Sequence, residues 1–123
     1  MEIVLTGADP NQYNRLIASG DVELQAGALL NVKLDYAPAL DTEFLILDNQ
    51  GGDAVSGNFL GRAEGDRFYL EYDGRDYQFE ITYQGGAGGN DVLLTVVPEP
   101  GALVLLLAGG IAFLLMRRRA GGK

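Results

Sequence analysis

Side chains able to do covalent chemistry are scarce in this 123-residue chain. It has no histidine and no cysteine, which removes thiol nucleophiles, Ser-His-Asp triads, imidazole bases, the usual zinc sites and disulfides. Its two serines, Ser19 and Ser56, stand outside any Gly-x-Ser-x-Gly elbow. Carboxylates remain: 17 Asp and Glu residues could supply a glycosidase-type pair or assist metal-dependent polysaccharide cleavage. With so many acids some pair always lies close, so proximity carries no information. A solvated alternate face on each strand, plus turn positions, accounts for them. No enzymatic activity, catalytic residue or cofactor is expected.

One acidic spot has metal-ligand spacing. "GAGGNDVLL", Gly86 to Leu94, nearly fits the calcium nonapeptide G-G-x-G-x-D-x-U-x, with Ala87 at its second position and Asp91 at its sixth. Asn90 and Asp91 are therefore weak calcium candidates. That motif works between stacked copies, and calcium takes about six to eight oxygens. A glycine loop leading into a strand is the plainer reading, and no metal site is expected.

A different chemistry, recognition by other proteins and by lipid, is written in "VPEPGALVLLLAGGIAFLLMRRR", residues 97–119. Gly101 to Met116 carries no charge. As a helix this run spans about 24 Å, against about 30 Å of bilayer hydrocarbon. Pro98 and Pro100 oppose extending the helix upstream. Arg117, Arg118 and Arg119 can snorkel to the headgroups, and a bilayer thins locally, so a short span is feasible. A buried core helix fits badly, because apolar residues surround the whole circumference and the rest of the chain could hardly enclose it. A signal peptide would place its basic residues first, not last.

Charge sets the orientation. Residues 117–123 carry four positive charges and no negative one, so the positive-inside rule puts Lys123 in the cytoplasm and Val97 outside. Sixteen of the 17 acids precede Pro98, against five basic residues. Such an acidic domain repels nucleic acid and anionic lipid, and no nucleic-acid role is expected. "MEIVLTGADP" has neither a basic n-region nor a long apolar core, so the expectation is an internal start or the C-terminal piece of something longer.

Pro-Glu-Pro, a short apolar run and an arginine cluster, in that order, resemble a PEP-CTERM sorting signal. The match covers about 25 residues, with Pro98, Glu99, Pro100 and the following Gly101 as the motif and Arg117, Arg118 and Arg119 as the basic end. The resemblance implies that an integral-membrane exosortase of a biofilm-forming Gram-negative bacterium recognises the tail and cleaves near Pro-Glu-Pro. A helix-incompatible Pro-Glu-Pro suits this, because it offers an extended backbone at the membrane surface. Implied partners are the exosortase, the inner membrane and an exopolysaccharide. Implied localisation is an inner-membrane intermediate, then the cell surface or extracellular matrix. The organisation read here is a β domain at 1–97 and a sorting tail at 98–123, divided into the motif 98–100, a transmembrane helix 101–116 and a basic cytoplasmic end 117–123.

Before Pro98 the period is that of strands. "LLNVKLDY" alternates, with Leu30, Val32, Leu34 and Tyr36 on one face. "EIVLT", "NRLIAS", "DVELQ", "EFLILD", "RFYLEY", "YQFEITY" and "DVLLTVV" are further strand candidates, separated by glycine and aspartate turns. Asp73-Gly74 predicts a type I′ hairpin pairing Tyr72 with Arg75, Leu70 with Tyr77, Phe68 with Phe79 and Arg67 with Glu80. That register places Glu71 opposite Asp76, a like-charge pair.

The order of "QYNRLIASGDVELQAGALLNVKLDY", "EFLILDNQGGDAVSGNFLG" and "FEITYQGGAGGNDVLLTV" is similar to the C-terminal end of autotransporter-associated β-strand repeat passengers. This implies a mainly β fold: the last rungs of a right-handed parallel β-helix from Tyr13 to Tyr36, with an antiparallel cap from Arg67 to Val97. The expected function is an exported structural or adhesion-type protein of the cell surface or biofilm matrix. The alternatives are the cap of an exported carbohydrate-active β-helix enzyme, or a membrane-anchored domain that is never cleaved.

Overall fold

Apolar–polar alternation becomes seven strands in the computed structural model, which describes residues 1–99. They are β1 (Glu2–Leu5), β2 (Leu16–Ala18), β3 (Asn31–Leu34), β4 (Glu43–Asn49), β5 (Arg67–Tyr72), β6 (Arg75–Gly85) and β7 (Asp91–Val97), with one short 3-10 turn at Pro10–Gln12. β1 and β3 pair in parallel as a two-stranded sheet. The other five form a mixed sheet in the order β2-β4-β7-β6-β5. β2 lies parallel to β4, while β4–β7, β7–β6 and β6–β5 are antiparallel.

The core lies on one face of these strands. Ile3 and Leu5 of β1, Phe44 and Ile46 of β4, Phe79 and Ile81 of β6, and Val92, Leu94 and Val96 of β7 are fully buried or nearly so. Leu30, Val32, Leu34 and Tyr36 all pack into or against this core, as their alternation predicts. Phe44 is the hub. Tyr13 and Tyr36 meet it edge-on at 5.3 and 6.4 Å, and the Phe79 ring lies tilted to it at 6.2 Å. Phe68 stacks on Phe79 at 6.0 Å, and the Arg62 guanidinium covers Phe68 at 4.3 Å. Aromatic pairs of this kind add about 0.5–1.5 kcal/mol each beyond the area they bury.

The β5–β6 hairpin has the predicted register throughout, including Glu71 opposite Asp76. Asp73 and Gly74 both have positive φ, 53° and 78°, as a type I′ turn requires. The like-charge pair has a local outlet: the Glu71 carboxylate accepts the Gly74 N–H at 2.7 Å, inside the turn. Tyr69 is an aromatic residue on the opposite, outward face, where it is 51 % exposed.

The parallel β-helix expectation is corrected. β1 and β3, β2 and β4, and an isolated bridge from Glu23 to Ser56 make a single parallel step. The next neighbour of β4 is β7, running antiparallel, so no second step is added. Tyr13 to Tyr36 is not a set of rungs, since it contributes β2 to one sheet and β3 to the other. Arg67 to Val97 is antiparallel, but it forms three of the five strands of the main sheet rather than a cap. "DVELQ" makes only the Glu23 bridge, confined between the bend at Ser19-Gly20 and the turn at Ala26-Gly27. The transmembrane helix expected at 101–116 lies outside the described residues. Among the described residues, no helix is long and apolar enough to cross a membrane.

Candidate functional site

Pro98 and Glu99, the start of the expected sorting motif, follow directly where the main sheet ends. β7 is the central strand, bound on one side by β6, with Phe79 beside Val96 and Gln78 beside Val97. On its other side the ladder runs past β4 into the preceding loop. The Val96 N–H donates to the Thr42 carbonyl at 2.9 Å, and the Asp41 N–H donates to the Val96 carbonyl at 2.8 Å. Thr42 ties that loop down by donating its hydroxyl to the Ala39 carbonyl at 2.8 Å. Asp41 sits at φ 68°, a left-handed conformation that Asp tolerates better than most residues. Two residues beyond this doubly bonded position comes Pro98, which has no N–H and cannot extend the ladder.

Pro98 and Glu99 therefore leave the sheet without a spacer, Pro98 half-buried and Glu99 exposed. Both help to wall a cleft of about 320 Å³ between the loop at 37–40, the start of β6 and the end of β7. Proline's fixed φ restricts the backbone that leaves the rim of the folded domain here. Pro100, Gly101 and Arg117, Arg118 and Arg119, the rest of the predicted sorting residues, lie outside the described residues.

Asn90 and Asp91, the weak calcium candidates, occupy a closed hydrogen-bonded knot at the other end of β7. Asp91 is only 8 % exposed, and its carboxylate accepts the Asn49 N–H at 2.7 Å. The Asn49 side chain donates to the carbonyls of Asp53 and Asn90, at 2.9 and 3.1 Å, and the Asn90 side chain donates to the Gly51 carbonyl at 2.9 Å. Gly86, at φ +76°, is required here, because a Cβ would collide with the Asp91 carboxylate. The knot ties β4, the loop after it and β7 together. Among the described residues no group of three or more acidic side chains is gathered in a way that could hold a metal ion.

Asp91 thus acts on stability through its acceptor. Asp91→Ala orphans the Asn49 N–H and is expected to cost about 1–3 kcal/mol, while Asp91→Asn keeps an acceptor and costs less. A chelator is expected to leave the melting midpoint of the unmutated protein unchanged. Thermal melts with and without excess EDTA check both statements, and a large chelator-dependent loss would restore Asp91 as a ligand.

A third polar assembly pins the loop before β5. Tyr83 accepts the Phe59 N–H at 3.0 Å and donates to the Arg62 carbonyl, and the Tyr83 N–H donates to Glu64 at 2.7 Å. Burial pushes the Tyr83 phenol above its ordinary value, against the opposing effect of the Phe59 hydrogen bond. Sequence reasoning missed this strap, and it also missed Gln78 and its cleft. Gln78 occupies the polar side of an alternating strand, which reads as a solvent face until the loop at 37–40 is seen folded against it.

No protein-family model, no curated protein and no solved structure matches this chain.

Proposed function

We propose that this chain is an exported surface or matrix protein whose β domain is delivered by a C-terminal tail of the PEP-CTERM kind and released by an exosortase. The observation that carries the reading is the order of the tail: Pro98-Glu99-Pro100, an uncharged run from Gly101 to Met116, then Arg117, Arg118 and Arg119. The fold supports it in one respect. The ladder of the domain ends at Val96 and Val97, so a cut at or after Pro98 severs nothing in it. The released product keeps every core residue, the last of which is Val96.

Expression of the full chain behind a cleavable export signal, in a Gram-negative host with and without a matching exosortase, tests this. With the exosortase, mass spectrometry of surface material is expected to find a mature C-terminus between Val97 and Gly101. A reporter fused after Lys123 is expected to be active only in the cytoplasm. Surface material that still ends in Lys123 would reduce the tail to an anchor, and a reporter active outside would reverse the topology.

A further inference from the structure

One residue in the wall of the cleft beside Pro98 carries a buried polar atom with no partner among the described residues. Gln78 is 8 % exposed, and its side-chain oxygen is buried with no hydrogen-bond partner among the described residues. Gln78 lies on β6 beside Val97 of β7, and both line the cleft. A buried, unpaired amide oxygen destabilises the fold that contains it. Leucine or methionine would fill the same volume without that cost. The terminal torsion of glutamine is broad, so a small rotation turns the amide toward the cleft.

Around Gln78 the walls combine two kinds of surface. Asp76 and Glu99 bring acceptors, Arg75 brings donors, and Pro38, Leu40 and Tyr77 bring apolar faces. The Arg75 guanidinium sits over the Tyr77 ring at 5.7 Å, on the alternate face of β6 from Gln78. Leu40 is exposed for its size, 51 %, at the lip. An anionic ligand would meet two carboxylates for one guanidinium, inside a domain that is already strongly acidic. A wholly apolar ligand would leave the Gln78 amide unpaired. Hydroxyls both donate and accept, so the several hydroxyls of a sugar can pair with Gln78, Asp76, Glu99 and Arg75, while its C–H face packs on the exposed Leu40. The volume, about 320 Å³, has room for a saccharide of a ring or two.

We propose that the cleft between the 37–40 loop and the paired ends of β6 and β7 is a binding site for a neutral, hydroxyl-rich glycan, read by Gln78, Arg75 and Asp76. The site does not depend on the sorting reading, because all three side chains stand within the folded domain whether or not the tail is cut. A free polysaccharide and the headgroup of a glycolipid carry the same chemistry.

The test is a titration of the isotope-labelled full-length chain in neutral detergent with maltotetraose, cellotetraose and chitotetraose, and separately with short-chain alkyl maltoside below its micellar concentration. An extended pentapeptide, acetyl-Ala-Gly-Ser-Gly-Ala-amide, is the competing ligand class. Saturable shifts are expected at the Gln78 side-chain amide and at the Arg75 and Asp76 backbone amides. Gln78→Met is expected to weaken binding about tenfold, equivalent to about 1.4 kcal/mol, while the melting midpoint stays level or rises because the orphaned oxygen is gone. Asp76→Asn, an exposed change at the rim, is expected to weaken binding while the melt stays level or rises slightly, because the like-charge pair with Glu71 is relieved. Shifts with the free tetraoses point to a polysaccharide, and shifts with the alkyl maltoside alone point to a glycolipid headgroup. No shift at these residues with any saccharide, undiminished binding by Gln78→Met, or shifts with the pentapeptide alone would overturn the proposal.

Discussion

With Pro98, Glu99 and Pro100 all replaced by alanine, release is expected to fall to background, with full-length protein accumulating in the inner membrane of a host that processes the original chain. The substitution leaves untouched what insertion depends on, the uncharged run from Gly101 to Met116 and the four basic residues after it. It also leaves the domain intact, since the ladder of β7 makes its last bonds at Val96 and Val97. What it changes is the backbone that the protease must take up: alanine restores the missing N–H groups and permits helix where proline forbids it. Replacing Arg117, Arg118 and Arg119 by glutamate is expected to act differently, on orientation and retention, because it removes the cationic stop and inverts its charge. The two variants are told apart by fractionation with mass spectrometry of each fraction. Wild-type release by the triple-alanine variant would sink the sorting reading while leaving the anchor reading standing.

Because no spacer separates β7 from the motif, the rim of the domain must come close to whatever reads Pro98 and Glu99. The loop at 37–42 and the start of β6 lie on that rim. A glycan in the cleft would sit against Pro98 and Glu99, so occupancy and access to the motif are coupled by contact. This link requires no conformational change, only the shared wall.

The sequence made local features legible and left partner choice hidden. The β5–β6 hairpin could be read residue by residue, because Asp-Gly dictates the turn, the turn fixes the register, and the alternation of Phe68, Leu70, Tyr77 and Phe79 confirms the face. Most strands were legible for the same reason. Alternation states that a strand has an inner face, but it does not state which strand lies beside it or in which direction that neighbour runs. β4 reads identically with a parallel neighbour on both edges or, as found, with β2 parallel on one edge and β7 antiparallel on the other. The solenoid expectation failed at that point. The cleft was hidden for a related reason. It exists because Asp41 and Thr42 bond to Val96, 54 or 55 residues along the chain, and no spacing rule marks such a contact. Asp91 shows a further limit: motif position marked it as a possible ligand, whereas its fixed partner is the N–H of Asn49, a residue on another strand.

Truncation of Phe79 is expected to remove most of the stability of the domain. Phe79 is fully buried at the centre of β6, stacked on Phe68 and 6.2 Å from Phe44, whose other contacts reach Tyr13 and Tyr36. Its ring therefore joins the antiparallel half of the sheet to the aromatic cluster that gathers the parallel half. Phe79→Ala forfeits the transfer energy of the ring, opens a cavity between two aromatic faces and breaks that link, for a cost of about 3–5 kcal/mol. A domain of this size has about 5–15 kcal/mol in total. Tyr69→Ala provides the contrast. It removes a ring of similar size from the adjacent strand β5, but from the outward face, half exposed, and is expected to change stability by about 0.5 kcal/mol or less. The chain has no tryptophan, so urea titrations followed by far-ultraviolet circular dichroism of the full chain in mild detergent provide the readout, the midpoint falling sharply for Phe79→Ala and holding for Tyr69→Ala. Equal losses in the two variants would mean that the inward and outward faces of the β5–β6 hairpin are wrongly assigned, and with them the register that puts Gln78 at the cleft.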